Sequence, residues 1–130
     1  MWMQDTDTCC YILRERPPQV LERLDRVARD EIVLSTIVCA ELRYRAARLR
    51  SKKRAATIEA WLALFVILPW DDAASKAYAR IRAGLEASGK PIGKLDMPIA
   101  AHAVACGALL VTSNTRHFSQ VPGLRIENWA

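Results

Sequence analysis

The feature that most restricts the fold of this chain is the alternation of short β-prone runs with longer segments of helical period. Apolar runs at residues 2–4, 32–34, 64–68, 108–111 and 124–127 are separated by segments whose apolar residues recur every three or four positions. This alternation predicts an α/β fold with a mainly parallel central sheet flanked by helices. In such sheets ligands bind beyond the carboxyl ends of the strands. The polar residues that follow each run are therefore the first candidates for a functional site.

The length of the chain limits it to one domain. One hundred and thirty residues suffice for a single hydrophobic core and are too few for two, so we expect one domain over residues 1–130. The uncharged apolar run at 61–70 is shorter than the roughly 20 residues that a membrane span needs. Because no basic segment precedes an apolar one at the start, a cytoplasmic protein is expected. The four cysteines form no C-x-x-C pair, which favours reduced thiols over a zinc site.

Several helix boundaries can be predicted from residues that commonly cap helices. Ser35 is expected to cap a helix that carries a basic cluster near its end. The run at 64–68 (LFVIL) lacks alternation and predicts a strand buried on both faces. Asp71 or Asp72 is expected to cap a helix that continues to about residue 87. Gly107 is expected to end the next helix, which is rich in alanine and carries His102 as a packing residue.

Positive charge is concentrated in one short part of the chain. The formal net charge is +5. Seven basic residues lie close together: Arg43, Arg45, Arg48, Arg50, Lys52, Lys53 and Arg54. A cluster of this kind suits a polyanion, and nucleic acid first. From charge alone, a solvated helix face or a surface for an acidic partner protein is an equally good interpretation.

Three carboxylates are placed where a site is expected. Asp5 ends the first apolar run, Glu41 lies within the helix after the second, and Asp96 begins a helix before the run at 108–111. Taken singly, the two aspartates could cap helices and Glu41 could pair with Arg45 one turn later. Together at one sheet edge, they would repel one another unless a cation lay among them. A cluster of oxygen ligands suits Mg²⁺ or Mn²⁺ better than zinc.

Four blocks of the sequence resemble those of PIN-domain ribonucleases, specifically the VapC-type toxins of bacterial toxin–antitoxin pairs. The blocks are QDTD at Asp5, AELRYRA around Glu41, PIGKLDMPIAAHA around Asp96, and LLVTSNTRHFSQVPGLRIENW at the end. They follow the family's order across nearly the whole chain. The resemblance implies a PIN-like three-layer α/β sandwich and an acidic site formed by Asp5, Glu41 and Asp96. It implies hydrolysis of RNA with Mg²⁺ or Mn²⁺, for which Asp5 and Asp96 would be the direct ligands.

The resemblance also implies partners and supporting residues. A VapB-type antitoxin, a homodimer and a toxin–antitoxin hetero-oligomer are expected, and transfer RNA is the default substrate because the family includes enzymes that cut it. Asp7, Ser113 and Asn114 are expected to support the site. Contacts to the RNA backbone are expected from Arg43, Arg48, Arg50, Lys94 and Arg116.

The chain departs from the family pattern at three positions. Asp7 stands where the family usually has Asn, Arg45 where many members have Gly, and His117 where many have a fourth acid. The last departure leaves open a PIN-like module that binds RNA or a partner without cutting. A haloacid-dehalogenase-like phosphatase using Asp5 and Asp7 is a further alternative. It is disfavoured because the lysine and the acidic pair that it requires near the end of the chain are missing.

Overall fold

A five-stranded sheet, in which every neighbouring pair of strands is parallel, forms the centre of the molecule. The computed structural model describes all residues 1–130. The strands are β1 (Trp2–Gln4), β2 (Ile32–Ser35), β3 (Val66–Leu68), β4 (Leu109–Val111) and β5 (Ile126–Glu127). Their spatial order is β3-β2-β1-β4-β5, so the winding of the chain reverses between β1 and β4. The predicted α/β fold with a parallel sheet is confirmed.

Seven α-helices and one short 3-10 helix (Arg29–Glu31) connect the strands and flank the sheet. The α-helices are named in chain order. They are α1 (Thr6–Arg14), α2 (Pro18–Asp25), α3 (Thr36–Arg48), α4 (Lys52–Leu62), α5 (Asp72–Ala87), α6 (Asp96–Cys106) and α7 (Thr115–Phe118). Apolar side chains from the strands and from the inner faces of the helices form one core cluster. No helix combines the length and the apolar character that crossing a membrane would require.

The predicted helix ends are confirmed where a capping residue marks them. The side chain of Ser35 accepts a hydrogen bond from the backbone N–H of Ile37 (3.1 Å), and that of Asp71 accepts one from Ala74 (3.0 Å). Gly107 ends α6 with a φ of 67°, a conformation that glycine adopts without strain. A cap of the Ser or Asp type stabilises a helix by about 1 kcal/mol.

The prediction of a strand buried on both faces at 64–68 is wrong. The strand that forms there, β3, lies at the edge of the sheet and pairs only with β2. Val66 is 40% exposed, and Leu64 just before the strand is also exposed. A short uninterrupted apolar run predicts a strand but does not distinguish a central position from an edge, because that depends on the order of strands in space.

The prediction that one helix carries the whole basic cluster is also wrong. α3 ends at Arg48, and Arg50 adopts a left-handed conformation with a φ of 52°. Ser51 then caps α4, accepting a hydrogen bond from the backbone N–H of Arg54 (3.1 Å). The cluster is therefore divided between the end of α3, a turn and the start of α4. Ser51 was the signal for this break, and the surrounding charges obscured it.

His102 packs inside the fold, as predicted. It lies on α6 and is buried, with its Nδ1 atom 2.8 Å from the hydroxyl oxygen of Ser35. Burial lowers the pKa of His102, which favours the neutral imidazole. The contact joins α6 to the end of β2, and so helps to fix the helix whose first residue is Asp96.

Candidate active site

Four carboxylates and one arginine line a small cleft at the carboxyl end of β1. The cleft has a volume of about 100 Å³ and is lined by Asp5, Thr6, Asp7, Glu41, Arg45, Leu95, Asp96 and Ile99. Asp5 and Asp7 come from the junction of β1 and α1, Glu41 from α3, and Asp96 from the start of α6. The cleft thus lies near the point where the strand order reverses, the usual ligand position in such sheets.

Asp5 is both a helix cap and the most buried of these carboxylates. Its Oδ1 atom accepts a hydrogen bond from the backbone N–H of Thr8 (2.8 Å), and the residue is only 4% exposed. Its own backbone N–H donates to the carbonyl oxygen of Val111 in β4 (3.0 Å). Burial raises the pKa of Asp5, whereas hydrogen bonds from Thr112 and Thr8 oppose the rise. Capping therefore does not compete with a role in the site, because the cap is what fixes this carboxylate in place.

Asp96 is not a helix cap. Leu95 occupies the capping position of α6, and no side chain there bonds to the helix. The Oδ2 atom of Asp96 lies 3.4 Å from Nδ2 of Asn114, which donates to it. Burial raises the pKa of Asp96, the charge of Asp5 raises it further, and the charge of His117 lowers it. The two aspartates line the same cleft and their charges repel, as expected of carboxylates that share one site.

Glu41 lies in the same cleft but is engaged by an arginine. Its Oε1 atom is 3.6 Å from Nε of Arg45, one turn later in α3, and its side chain is 22% exposed. The ion pair between Glu41 and Arg45, which the sequence offered as the alternative role for Glu41, is therefore present. Nη1 of Arg45 also donates a hydrogen bond to Sγ of Cys10 in α1 (2.9 Å). Glu41 is thus at the site without being grouped with the two aspartates.

The chemistry of the lining residues fits a divalent cation of the Mg²⁺ or Mn²⁺ type. The ionisable groups of the cleft are four carboxylates and one arginine, and neither histidine nor cysteine lines the cleft. No three acidic, histidine or cysteine side chains are grouped closely enough to hold one ion together. Mg²⁺ is commonly held by only one or two carboxylates and keeps several waters. Asp5 and Asp96 can form such a pair, and a bound cation would relieve their mutual repulsion.

The remaining polar residues predicted near the site divide into two groups. The Nδ2 atom of Asn114 is within hydrogen-bond distance of both Asp96 and Nδ1 of His117 (3.1 Å), so Asn114 links them. Ser113 instead contacts the hydroxyl group of Tyr11 (3.3 Å) and does not line the cleft. His117 lies in the short helix α7 and is exposed.

Sequence reasoning missed Thr112 as a neighbour of the acidic residues. It directly follows β4, is fully buried, and accepts a hydrogen bond from the backbone N–H of Asn114 (2.9 Å). Its hydroxyl group lowers the pKa of Asp5. Its position after a strand that neighbours β1 was a usable signal, because the carboxyl ends of adjacent parallel strands meet at one edge.

The five basic residues predicted to contact RNA are all exposed, but one of them is already paired. The guanidinium of Arg43 makes two hydrogen bonds to Glu59 (both 2.9 Å) and joins α3 to α4. The other four form no salt bridge: Arg48, Arg50, Lys94 and Arg116. Arg43 is therefore less available to an incoming ligand than the others are.

A larger cavity adjoins the acidic cleft. It has a volume of about 430 Å³ and is lined by apolar and basic side chains from α1, α3 and α4. We call it the basic groove after its four cationic residues: Arg14, Arg45, Lys53 and Arg54. Arg45 lines both cavities, so the groove and the acidic cleft lie side by side. It exists because the chain breaks between α3 and α4, which the sequence-based prediction missed.

Comparison with known proteins gives matches over nearly the whole chain. The PIN domain family profile matches residues 3–124. The tRNA(fMet)-specific endonuclease VapC of Shigella flexneri is 35% identical over 130 residues, which cover 99% of this chain and 98% of that protein. Ribonuclease VapC2 of Haemophilus influenzae is 37% identical over 129 residues, covering 98% and 97%. The crystal structure of DNA-bound VapBC from Salmonella typhimurium superposes with a TM-score of 0.91 at 34% identity, covering 99% and 98%.

These matches include the segments that carry all four acidic residues of the cleft, so they concern the site as well as the scaffold. They also leave the phosphatase interpretation of Asp5 and Asp7 without support, since the whole chain follows a different family. The chain therefore belongs to the PIN-domain family, within its group of VapC ribonucleases.

Proposed function

We propose that this chain is an endoribonuclease toxin that hydrolyses phosphodiester bonds of RNA with Mg²⁺ or Mn²⁺, and that a VapB-type antitoxin neutralises it. The observation that carries the proposal is the convergence of four carboxylates, from three separate elements, on one cleft at the switch point of the sheet. The ribonuclease names of relatives that match the chain along its length support RNA as the substrate.

Each acidic residue has a distinct part in this proposal. Asp5 and Asp96 would hold the divalent ion, since they line one cleft and each accepts a hydrogen bond from a neighbouring group. A bound ion of this class neutralises charge on the phosphate and lowers the pKa of a coordinated water. Asn114 orients Asp96 through its amide, and Asp7 adds negative charge at the rim. Glu41 would orient the attacking water once it is free of Arg45.

The basic groove offers a path for the RNA backbone into the cleft. Its cationic side chains, and exposed Arg48 and Arg50 nearby in the chain, can neutralise phosphates. Such contacts position a nucleic acid without specifying its sequence, which in RNA is read mainly from unstacked bases. Transfer RNA is the first substrate to test, because the Shigella flexneri relative is named a tRNA(fMet)-specific endonuclease.

The proposed partner is a VapB-type antitoxin. Several solved structures that resemble this chain are toxin–antitoxin assemblies, and two of them, named VapBC, are described as bound to DNA. At 32% and 34% identity over nearly the whole chain, they support a hetero-oligomer of the same general kind. A toxin homodimer in the cytoplasm is the further part of this proposal.

The test is a cleavage assay on the purified chain with labelled tRNA in Mg²⁺, in Mn²⁺ and in EDTA. Wild-type protein should cut only with a divalent ion. Asp96→Asn should reduce the rate by at least about 100-fold, since losing even a group that orients a metal ligand costs roughly 10- to 100-fold. The matched control is Asp72→Asn, an exposed carboxylate in α5 that pairs with Lys76 outside the cleft. Equal cleavage in EDTA, or full activity of the Asp96 variant, would falsify the proposal.

A second candidate, a PIN module that binds RNA without cutting it, is favoured by one feature of the site. Glu41 is paired with Arg45, and no three potential ligands are grouped together. Salt-dependent RNA binding with no cleavage in any ion would support this alternative. Cleavage that depends on Mn²⁺ and on Asp96 would exclude it.

A further inference from the structure

Arg45 is the only cationic side chain that lines the acidic cleft, and two elements hold it there. Its Nε atom lies 3.6 Å from Oε1 of Glu41 on the same helix. Its Nη1 atom donates to Sγ of Cys10 on α1 (2.9 Å). The side chain is 40% exposed, so it is anchored without being enclosed. A positive charge is thus built into a site whose other ionisable groups are all acidic.

The position of Arg45 has a consequence for Glu41. In the ion pair, Glu41 is turned towards the guanidinium, and no group of three ligands forms in the cleft. We propose that Arg45 is an internal counter-ion that competes with the divalent cation for Glu41 and so sets the affinity of the cleft for that cation. This inference rests on the proposed function, because it concerns the same cation.

The physical basis is the balance of two charges around one carboxylate. A partly exposed ion pair between residues four apart is weak in water, so a doubly charged ion nearby can displace the arginine. Until the cation displaces it, the guanidinium pairs with the Glu41 carboxylate and also repels the arriving cation. The hydrogen bond to Cys10 gives Arg45 a second contact that does not depend on Glu41, so the arginine stays beside the cleft when the carboxylate is released.

The same helix contains a matched control. Arg43 lies two residues before Arg45 and makes two hydrogen bonds to Glu59 of α4. It does not line the acidic cleft. Replacing either arginine by methionine removes one positive charge and keeps an unbranched apolar stem. The two variants therefore have the same net charge and differ in whether the lost charge lay beside Glu41.

The experiment titrates Mn²⁺ into metal-free protein and measures free Mn²⁺ by electron paramagnetic resonance. Arg45→Met should bind Mn²⁺ about three- to tenfold more tightly than wild type, because a repelling charge and a competitor for Glu41 are both removed. Arg43→Met should stay within about twofold of wild type, as expected for a more distant exposed charge. Unchanged or weaker binding by Arg45→Met overturns the inference. Circular dichroism of each variant verifies that the fold is retained.

A second arm tests whether Arg45 acts through Glu41. In the Glu41→Gln background, the gain from Arg45→Met should fall to the part that charge repulsion alone provides, because the competition for Glu41 has already been removed. A gain that persists in full means general charge repulsion and contradicts the proposed competition.

Failure of this inference and failure of the proposed function give different results. Wild-type binding of Mn²⁺ that Arg45→Met leaves unaltered overturns only the role of Arg45. Absence of Mn²⁺ binding in the wild type and in both methionine variants contradicts the metal-dependent function itself, and this inference with it.

Discussion

Gln4, the residue before Asp5, provides a sharp test of how the core beneath the site is built. It ends β1 opposite Val111 of β4 and is fully buried. Neither its amide nitrogen nor its amide oxygen has a hydrogen-bond partner within the protein. Because buried polar atoms normally have partners, this glutamine should lower the free energy of unfolding. We therefore expect Gln4→Met to stabilise the protein.

The size of the effect follows from the two unpaired atoms. Each buried polar group without a partner costs about 1–3 kcal/mol. Methionine is similar to glutamine in length and flexibility, so repacking should cost less than about 1.5 kcal/mol. The two atoms together cost about 2–6 kcal/mol, so the net gain expected for Gln4→Met is about 0.5–6 kcal/mol, with a rise in Tm of roughly 4 °C for each kcal/mol in a domain of this size.

The measurement is urea and thermal denaturation of metal-free protein, followed by circular dichroism. The control is Gln19→Met on α2, where the glutamine is exposed and a change within about 0.5 kcal/mol is expected. Cleavage should survive in the Gln4 variant, because the backbone of Asp5 is held by the carbonyl oxygen of Val111 and not by the Gln4 side chain. A lower urea midpoint for Gln4→Met would show that the amide is satisfied in solution, and would refute the reasoning.

Three further predictions concern charge. Because the pKa of Asp96 is raised in the folded state, its ionised form weakens folding at neutral pH. Asp96→Asn should therefore stabilise the metal-free protein at neutral pH, and this gain should vanish as the pH falls below the ordinary aspartate range. Urea titrations at several pH values measure the effect. The double variant Arg48→Glu, Arg50→Glu should weaken tRNA binding and reduce the slope of log affinity against log salt by about two. The control Arg80→Glu on α5 should have no such effect. If the double variant loses only antitoxin affinity, the surface around Arg48 and Arg50 binds the antitoxin and not RNA. If an antitoxin places a cationic side chain in the acidic cleft, Mn²⁺ should bind the complex more weakly than the free toxin, and equal affinities would leave only occlusion of the RNA path.

The parts of the fold that could be predicted are those that depend on local chemistry. Ser35, Asp71 and Gly107 each end or begin a helix where the sequence predicts, because capping needs only a side chain or a glycine beside the helix end. The edge position of β3 could not be predicted in this way. It follows from the spatial order of the strands, which is set by packing between segments distant in sequence.

The site was predictable in its acidic members and less so in their arrangement. Asp5, Glu41 and Asp96 do meet in one cleft, as parallel strands and their following helices require. Which of two competing interactions each residue makes could not be read from spacing. Asp5 caps a helix and Asp96 does not, although both precede or begin a helix. Glu41 pairs with Arg45, a contact that spacing alone permits equally at every i, i+4 pair of opposite charge.

The electrostatics of the cleft connect its function with the stability of the fold. Burial raises the pKa of both Asp5 and Asp96, and the charge of Asp5 adds to the shift at Asp96. A carboxyl group whose pKa is higher in the folded than in the unfolded state weakens folding at any pH where it is ionised. A cation that binds only the folded chain must reverse this penalty, and the stabilisation grows with its concentration. The charge of His117 lowers the pKa of Asp96 and so offsets part of this penalty, while Arg45 pairs with Glu41, and each contact leaves less for an external cation to gain. Arg45 and His117 are two of the three positions at which the chain departs from the family pattern, and they are therefore expected to tune the affinity of the cleft for a divalent cation.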